Sequence, residues 1–262
     1  ELTAKELAIR FNPFLIVFAR YLSQLILLLI IFNKQFKTHL KSNHKPLQIL
    51  RGALLMITTC FMFTGLAYLQ FAENISIYMI GPVITTILAI LILKEKISFT
   101  QILVVIIGLI GALIIASPNK GAFNYAVIFP FLAALCFAFF TISTKFLNTS
   151  DSNQTTLLFT AITGTILSLP FIIYFWKWPN LYDTLLMFCL GFLATAGHFL
   201  FIEALKVINA SFAAPFVYLT VLLAAFWGYI LYNEVPSQNT FIGAFLIITS
   251  GFIITRFKKK IH

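Results

Sequence analysis

Long apolar runs, each closed by a charge or a short polar turn, organise the chain from end to end. Charge-free intervals cover 52–72, 74–93, 97–119, 121–144, 152–176, 184–202, 207–233 and 235–255. Each is 19 to 27 residues long, and an α-helix needs about 20 apolar residues to cross a bilayer. In lipid every backbone N–H and C=O must be satisfied within the segment, which selects helices for such runs. The pattern predicts nine helices, over 13–32, 47–71, 74–93, 99–117, 123–146, 155–176, 182–205, 211–232 and 238–256. The segments "NP" (12–13), "SPN" (117–119), "NTSDSNQ" (148–154), "WPN" (178–180) and "PSQN" (236–239) have turn compositions. The longest loop, 33–46, leaves no room for a soluble domain.

Composition agrees. The chain is 60% hydrophobic and 10% charged, where a soluble domain carries about 25% charged residues. The net charge of +10 raises nucleic acid as a partner, but its distribution decides against that. With the C-terminus inside, alternate loops place 13 of the 18 Lys and Arg residues on the cytoplasmic side and 4 outside, with Arg20 inside a span. That bias follows the positive-inside rule. Nine spans then put Glu1 outside, and the first residue is not Met; both lead us to expect an absent first helix and a total of ten. Lys5, Glu6 and Arg10 interrupt any early signal-peptide core. Cys60, Cys136 and Cys189 fall within spans and read as packing residues, in neither a disulfide nor a metal-binding pattern.

The chain also repeats itself. Residues 81–114 and 220–253 both read apolar helix, one Glu, polar turn, apolar helix closed by small residues. At an offset of 139, Glu95 falls on Glu234 and Gly111 on Ser250. Five spans separate the two turns, so the repeats are inverted. Inverted repeats are a construction principle of secondary transporters, whose substrate site lies near the bilayer midplane between the halves.

The second half resembles the EamA-type carriers of the drug/metabolite transporter superfamily. The resemblance rests on His198, Ala204-Leu205, Ala210-Ser211, Ala214-Pro215-Phe216, Tyr218, Glu234, Pro236 and Gly243. In the first half it rests on Arg20, "LRG" at 50–52, Pro82 and Glu95, while Val104 stands where the family carries Gly. The resemblance implies an all-α polytopic fold of ten helices in two inverted five-helix repeats, here 1–118 and 119–262. The first repeat would lack its first helix. It also implies a central pocket lined mainly by helices three, four, eight and nine, and cargo such as amino acids, riboflavin or S-adenosylmethionine.

Several residues are candidates for the site. Pro215 is tolerated in a helix's first turn, and a helix N-terminus there would present Phe216 and Tyr218 to cargo. Arg20 within an apolar helix costs about 2.5–3.5 kcal/mol on insertion scales, which marks it as a functional candidate against the alternative of an interfacial anchor. His198 and Tyr78 complete the candidate substrate-binding set. Glu203 and Lys145 are candidates for proton coupling or gating, although Glu203 is also spaced to pair with Lys206. Pro82, Pro215, Glu95, Glu234, Gly111 and Gly243 read as structural, the two glutamates in capping or in pairing with nearby Lys.

These features predict a carrier of a small organic metabolite in the bacterial inner membrane, its C-terminus cytoplasmic, working by alternating access. No P-loop is present, so ATP hydrolysis is not expected of this chain. The rival reading is an intramembrane enzyme with His198 and Glu203 as acid and base. No GxSxG or HExxH motif and no metal-ligand cluster accompanies them. The expected partners are a small-molecule substrate and the lipid bilayer, with a homodimer as a further option. Neither a cofactor nor nucleic acid is expected.

Overall fold

The computed structural model describes residues 2–69, 71–116, 125–232 and 238–257, and among these there are helices but no strand. In chain order the helices are α1 (Leu2–Ala8), α2 (Pro13–Phe32), α3 (Phe36–His39), α4 (Lys45–Tyr68), α5 (Phe71–Tyr78), α6 (Gly81–Leu91) and α7 (Phe99–Ala116). There follow α8 (Ile128–Leu147), α9 (Asn153–Phe175), α10 (Leu181–Val207), α11 (Ala210–Ala213), α12 (Leu219–Tyr232) and α13 (Gln238–Phe257). Five of them, among them α2, α4, α9 and α10, are long and apolar enough to cross a membrane. Outward-facing Ile30, Ile166, Ile173, Phe192, Leu200 and Phe245 are more than half exposed, an apolar surface that a soluble monomer would not tolerate. This is an all-α polytopic membrane protein.

Helix starts follow local chemistry. Asn12 caps α2 by accepting from Phe14 N, with Pro13 at the first helical position. Ser152 and Asn180 cap α9 and α10 in the same way. The sequence pattern did not anticipate α1, nor the short helical pieces within the loop 33–46.

The larger correction concerns two spans expected to be continuous. The 74–93 run is broken between α5 and α6, just before Pro82, whose ring excludes the carbonyl four residues back and which has no N–H to donate. The 211–232 run divides into α11, a 3-10 segment Ala214–Tyr218 and α12. Pro215 therefore marks a break rather than the start of a long helix. The two broken segments begin at residues 71 and 210, which differ by 139, the offset of the sequence repeat.

Packing is close where side chains are smallest. A Cβ on Gly111 would lie 2.8 Å from the carbonyl oxygen of Gly243, so these two glycines let α7 and α13 approach backbone to backbone. One end of the bundle gathers the loops after α2, α6, α8 and α10. There Asp151 accepts from Ser42 Oγ at 2.5 Å, Gln48 Nε2 at 2.8 Å and Asn43 N at 3.2 Å. Burial works to raise the Asp151 carboxyl, but these hydrogen bonds outweigh it and hold it below its ordinary value. At the opposite end Arg10 pairs with Asp183 at 3.0 Å, and Lys177 donates to the Arg10 carbonyl at 3.0 Å. Glu234 and the basic tail Lys258 to Lys260 lie outside the described residues.

Candidate functional site

A cavity of about 400 Å³ lies between the helices. Its walls come from α1, α2, α4, α5, α8, α10 and the broken segment 210–232. Among the described residues, Arg20 supplies its one charged side chain, and no Asp or Glu lines it. From α2 the buried Arg20 donates through Nη1 to Thr59 Oγ1 on α4 and, at 3.4 Å, to the Tyr21 hydroxyl. Its Nη2 stands 2.8 Å from Nε2 of His198 on α10. A guanidinium has only donors, so His198 accepts there on an unprotonated Nε2. Thr58, Thr59 and Thr220 add hydroxyls to the wall.

The floor is aromatic. Phe137 lies 5.8 Å from Tyr78, 5.5 Å from Phe140 and 5.8 Å from Phe201 between ring centroids. Phe140 stacks on Phe201 and meets the edge of the His198 ring at 5.8 Å. A narrow crevice beneath is lined by Gly81, Pro82, Thr85, Ala213 and Ala214, the residues at the two helix breaks. Further down, Glu95 accepts from Ala210 N at 2.9 Å, Ser211 N at 3.1 Å and Ser211 Oγ at 2.5 Å, capping α11. Lys145 donates to the carbonyls of Leu205 and Ile208, both at 2.7 Å, closing the C-terminus of α10. Lys145, a candidate for gating in the sequence, serves here as a helix cap.

Arg20, His198 and Tyr78 thus share one cavity, but Tyr218 and Phe216 are not on its wall. Tyr218 is fully buried, gives its hydroxyl to the Val105 carbonyl at 3.1 Å and rests its ring against Gly108, where any side chain would overlap it. Phe216 packs beside Phe212, and their neighbours Val217 and Thr220 reach the cavity in their place. Glu203 accepts from Asn153 Nδ2 and lies 3.5 Å from Lys206, the ion pair its spacing indicated. The structure does not bring Glu203 and His198 together as an acid–base pair. Sequence reasoning missed Thr58, Thr59, Phe137 and Phe201, since a Thr or Phe in an apolar span carries no mark of the face it occupies.

A model of the EamA-like transporter family matches residues 2–117 and, separately, residues 124–256. The chain belongs to this family. It is similar to the S-adenosylmethionine uptake transporter of Rickettsia bellii, 30% identical over 260 residues that cover 99% of this chain and 89% of the relative. It is also similar to the riboflavin transporter of Vibrio cholerae, 28% identical over 214 residues, 81% of this chain and 72% of the relative. A solved crystal structure of a protein 15% identical in sequence matches with a TM-score of 0.82, over 100% of this chain and 95% of its own, which shows the fold alone. This EamA family member is a membrane transporter of small metabolites rather than an enzyme.

Proposed function

We propose that this protein takes up S-adenosylmethionine, or a metabolite of the same design, across the bacterial inner membrane by alternating access. Such a cargo joins an amino-acid head to a flat heteroaromatic group. The observation that carries the reading is Arg20, the one charge among the described residues of a cavity floored by aromatic rings. A carboxylate would pair with its guanidinium, a sulfonium would meet Phe and Tyr faces by cation–π attraction, and an adenine would stack on them. A volume of about 400 Å³ falls within the range of roughly 300–1,000 Å³ usual for small-molecule sites. His198 and Tyr78 act with Arg20 in binding. The two separate family matches support a division into repeats over 1–118 and 119–262. The gathering of basic loops at one end supports a cytoplasmic C-terminus.

The test is uptake of labelled S-adenosylmethionine into sealed proteoliposomes, with competitors. The decarboxylated analogue should compete roughly 10- to 150-fold more weakly than the parent, the worth of a hydrogen bond to a charged group. Arg20→Ala should abolish the difference. Equal competition by both compounds in the wild type, or uptake of riboflavin but not of S-adenosylmethionine, sinks the reading.

A further inference from the structure

A second arginine lies beyond the cavity floor. Arg51, on α4, is fully buried, yet among the described residues no carboxylate is its partner. Its Nε donates to Thr144 Oγ1 at 2.6 Å, and its Nη1 donates to Thr160 Oγ1 at 2.5 Å and to the Thr156 carbonyl at 3.5 Å. Both threonine hydroxyls spend their protons on carbonyls of their own helices, at 2.7 Å, which leaves only lone pairs facing the guanidinium. Nη2 has no partner. The nearby carboxylate of Asp151 is turned to Ser42, Asn43 and Gln48.

A buried cation of this kind is costly, and scaffold arginines are ordinarily paired with an acid; Arg10 with Asp183 shows that arrangement in this same molecule. One ring, that of Phe140, touches both Arg51 and side chains that line the cavity. Phe140 lies 4.3 Å from the Arg51 guanidinium carbon, and its edge contact with His198 joins it to the Arg20 group. A rotation of Phe140, or of α8 against α10, would open Arg51 to the space that Arg20 faces now.

We infer that Arg51 is a second anion-binding residue of the transport path, which takes the carboxylate of the cargo from Arg20 when the protein opens to its other face. The inference rests on the cargo reading above. It explains why the guanidinium is desolvated, unpaired and covered by an aromatic ring: its anion arrives with the substrate.

The experiment measures the KM of S-adenosylmethionine separately from each face, by uptake and efflux in proteoliposomes holding the protein in one orientation. Arg51→Met should raise the KM on the face of the 33–46 loop by about tenfold or more and leave the other face unchanged. Arg51→Lys, a second variant in case the first does not fold, should change it in the same direction by less. Equal changes on the two faces make Arg51 a scaffold residue and overturn the inference. If the wild type carries no S-adenosylmethionine, the cargo reading fails by itself, and Arg51 is judged by accessibility. Arg51→Cys, in a chain with Cys60, Cys136 and Cys189 replaced by Ala, should react with an impermeant anionic thiol reagent from the 33–46 face. Inertness from both faces overturns the inference.

Discussion

Arg20 and Tyr218 sit in similarly apolar stretches and do opposite things with their polar atoms. Arg20 offsets a central-span cost of about 2.5–3.5 kcal/mol with bonds to Thr59, Tyr21 and His198, and it still lines the cavity. The Tyr218 hydroxyl is used up on the Val105 carbonyl. Tyr218→Phe should therefore lower stability by about 0.5–1.5 kcal/mol, the net worth of one such bond, and leave cargo affinity unchanged. Thermal unfolding in detergent with and without cargo separates the two effects; a loss of affinity at unchanged stability returns Tyr218 to the site. At this scale the sequence revealed charge better than contact. Arg20 and His198 stood out because ionisable groups in a span need a reason. A lone hydroxyl in such a run reads the same whether it meets cargo or a carbonyl. Arg51 was legible too, since it lies inside the predicted 47–71 helix, but counting it with the loop charges hid it.

The elements that make the site are the broken ones. Nine apolar runs were readable because length and charge-free spacing are set by the bilayer. Their interruptions were not, since Pro82 and Pro215 suit a helix start as well as a break, and only packing chooses between these. Each break frees backbone groups that need partners. At α11 Glu95 supplies them from the turn between α6 and α7, which ties the first half of the chain to the second. The helix that Glu95 caps lies 115 residues away in sequence. Removing an N-cap costs about 0.5–2 kcal/mol. Glu95→Ala should accordingly loosen this junction, and Ser211→Cys in a cysteine-free chain should react with a thiol reagent several-fold faster in its presence. Equal labelling rates with and without Glu95→Ala would show that the cap does not hold the junction shut.

For the molecule as a whole, charge and closure point the same way. Glu95, Lys145 and the Asp151 cluster close the end that carries the 33–46 loop, while the cavity extends toward α1, where Thr3 reaches its wall. Lys37 in α3, Lys41, Lys94, Lys96 and Lys206 in the last turn of α10 lie at the closed end, and Arg10 and Lys177 at the other. The membrane potential and the anionic inner leaflet hold an excess of Lys and Arg on the cytoplasmic side during insertion. In the proposed orientation the cavity of this conformation faces outward, as the proposed uptake requires of the state that first receives cargo. Single cysteines in a cysteine-free chain test this in intact cells. Trp178→Cys, at an exposed position of the turn before α10, should react with an impermeant thiol reagent added outside. Lys41→Cys should react only after the membrane is permeabilised. The reverse pattern would put the 33–46 loop outside and the cavity on the cytoplasmic side, so that this conformation would be the one that loads cargo for export. Labelling of both positions from outside would mean that the two loops do not lie on opposite faces, and the charge argument would fail with them.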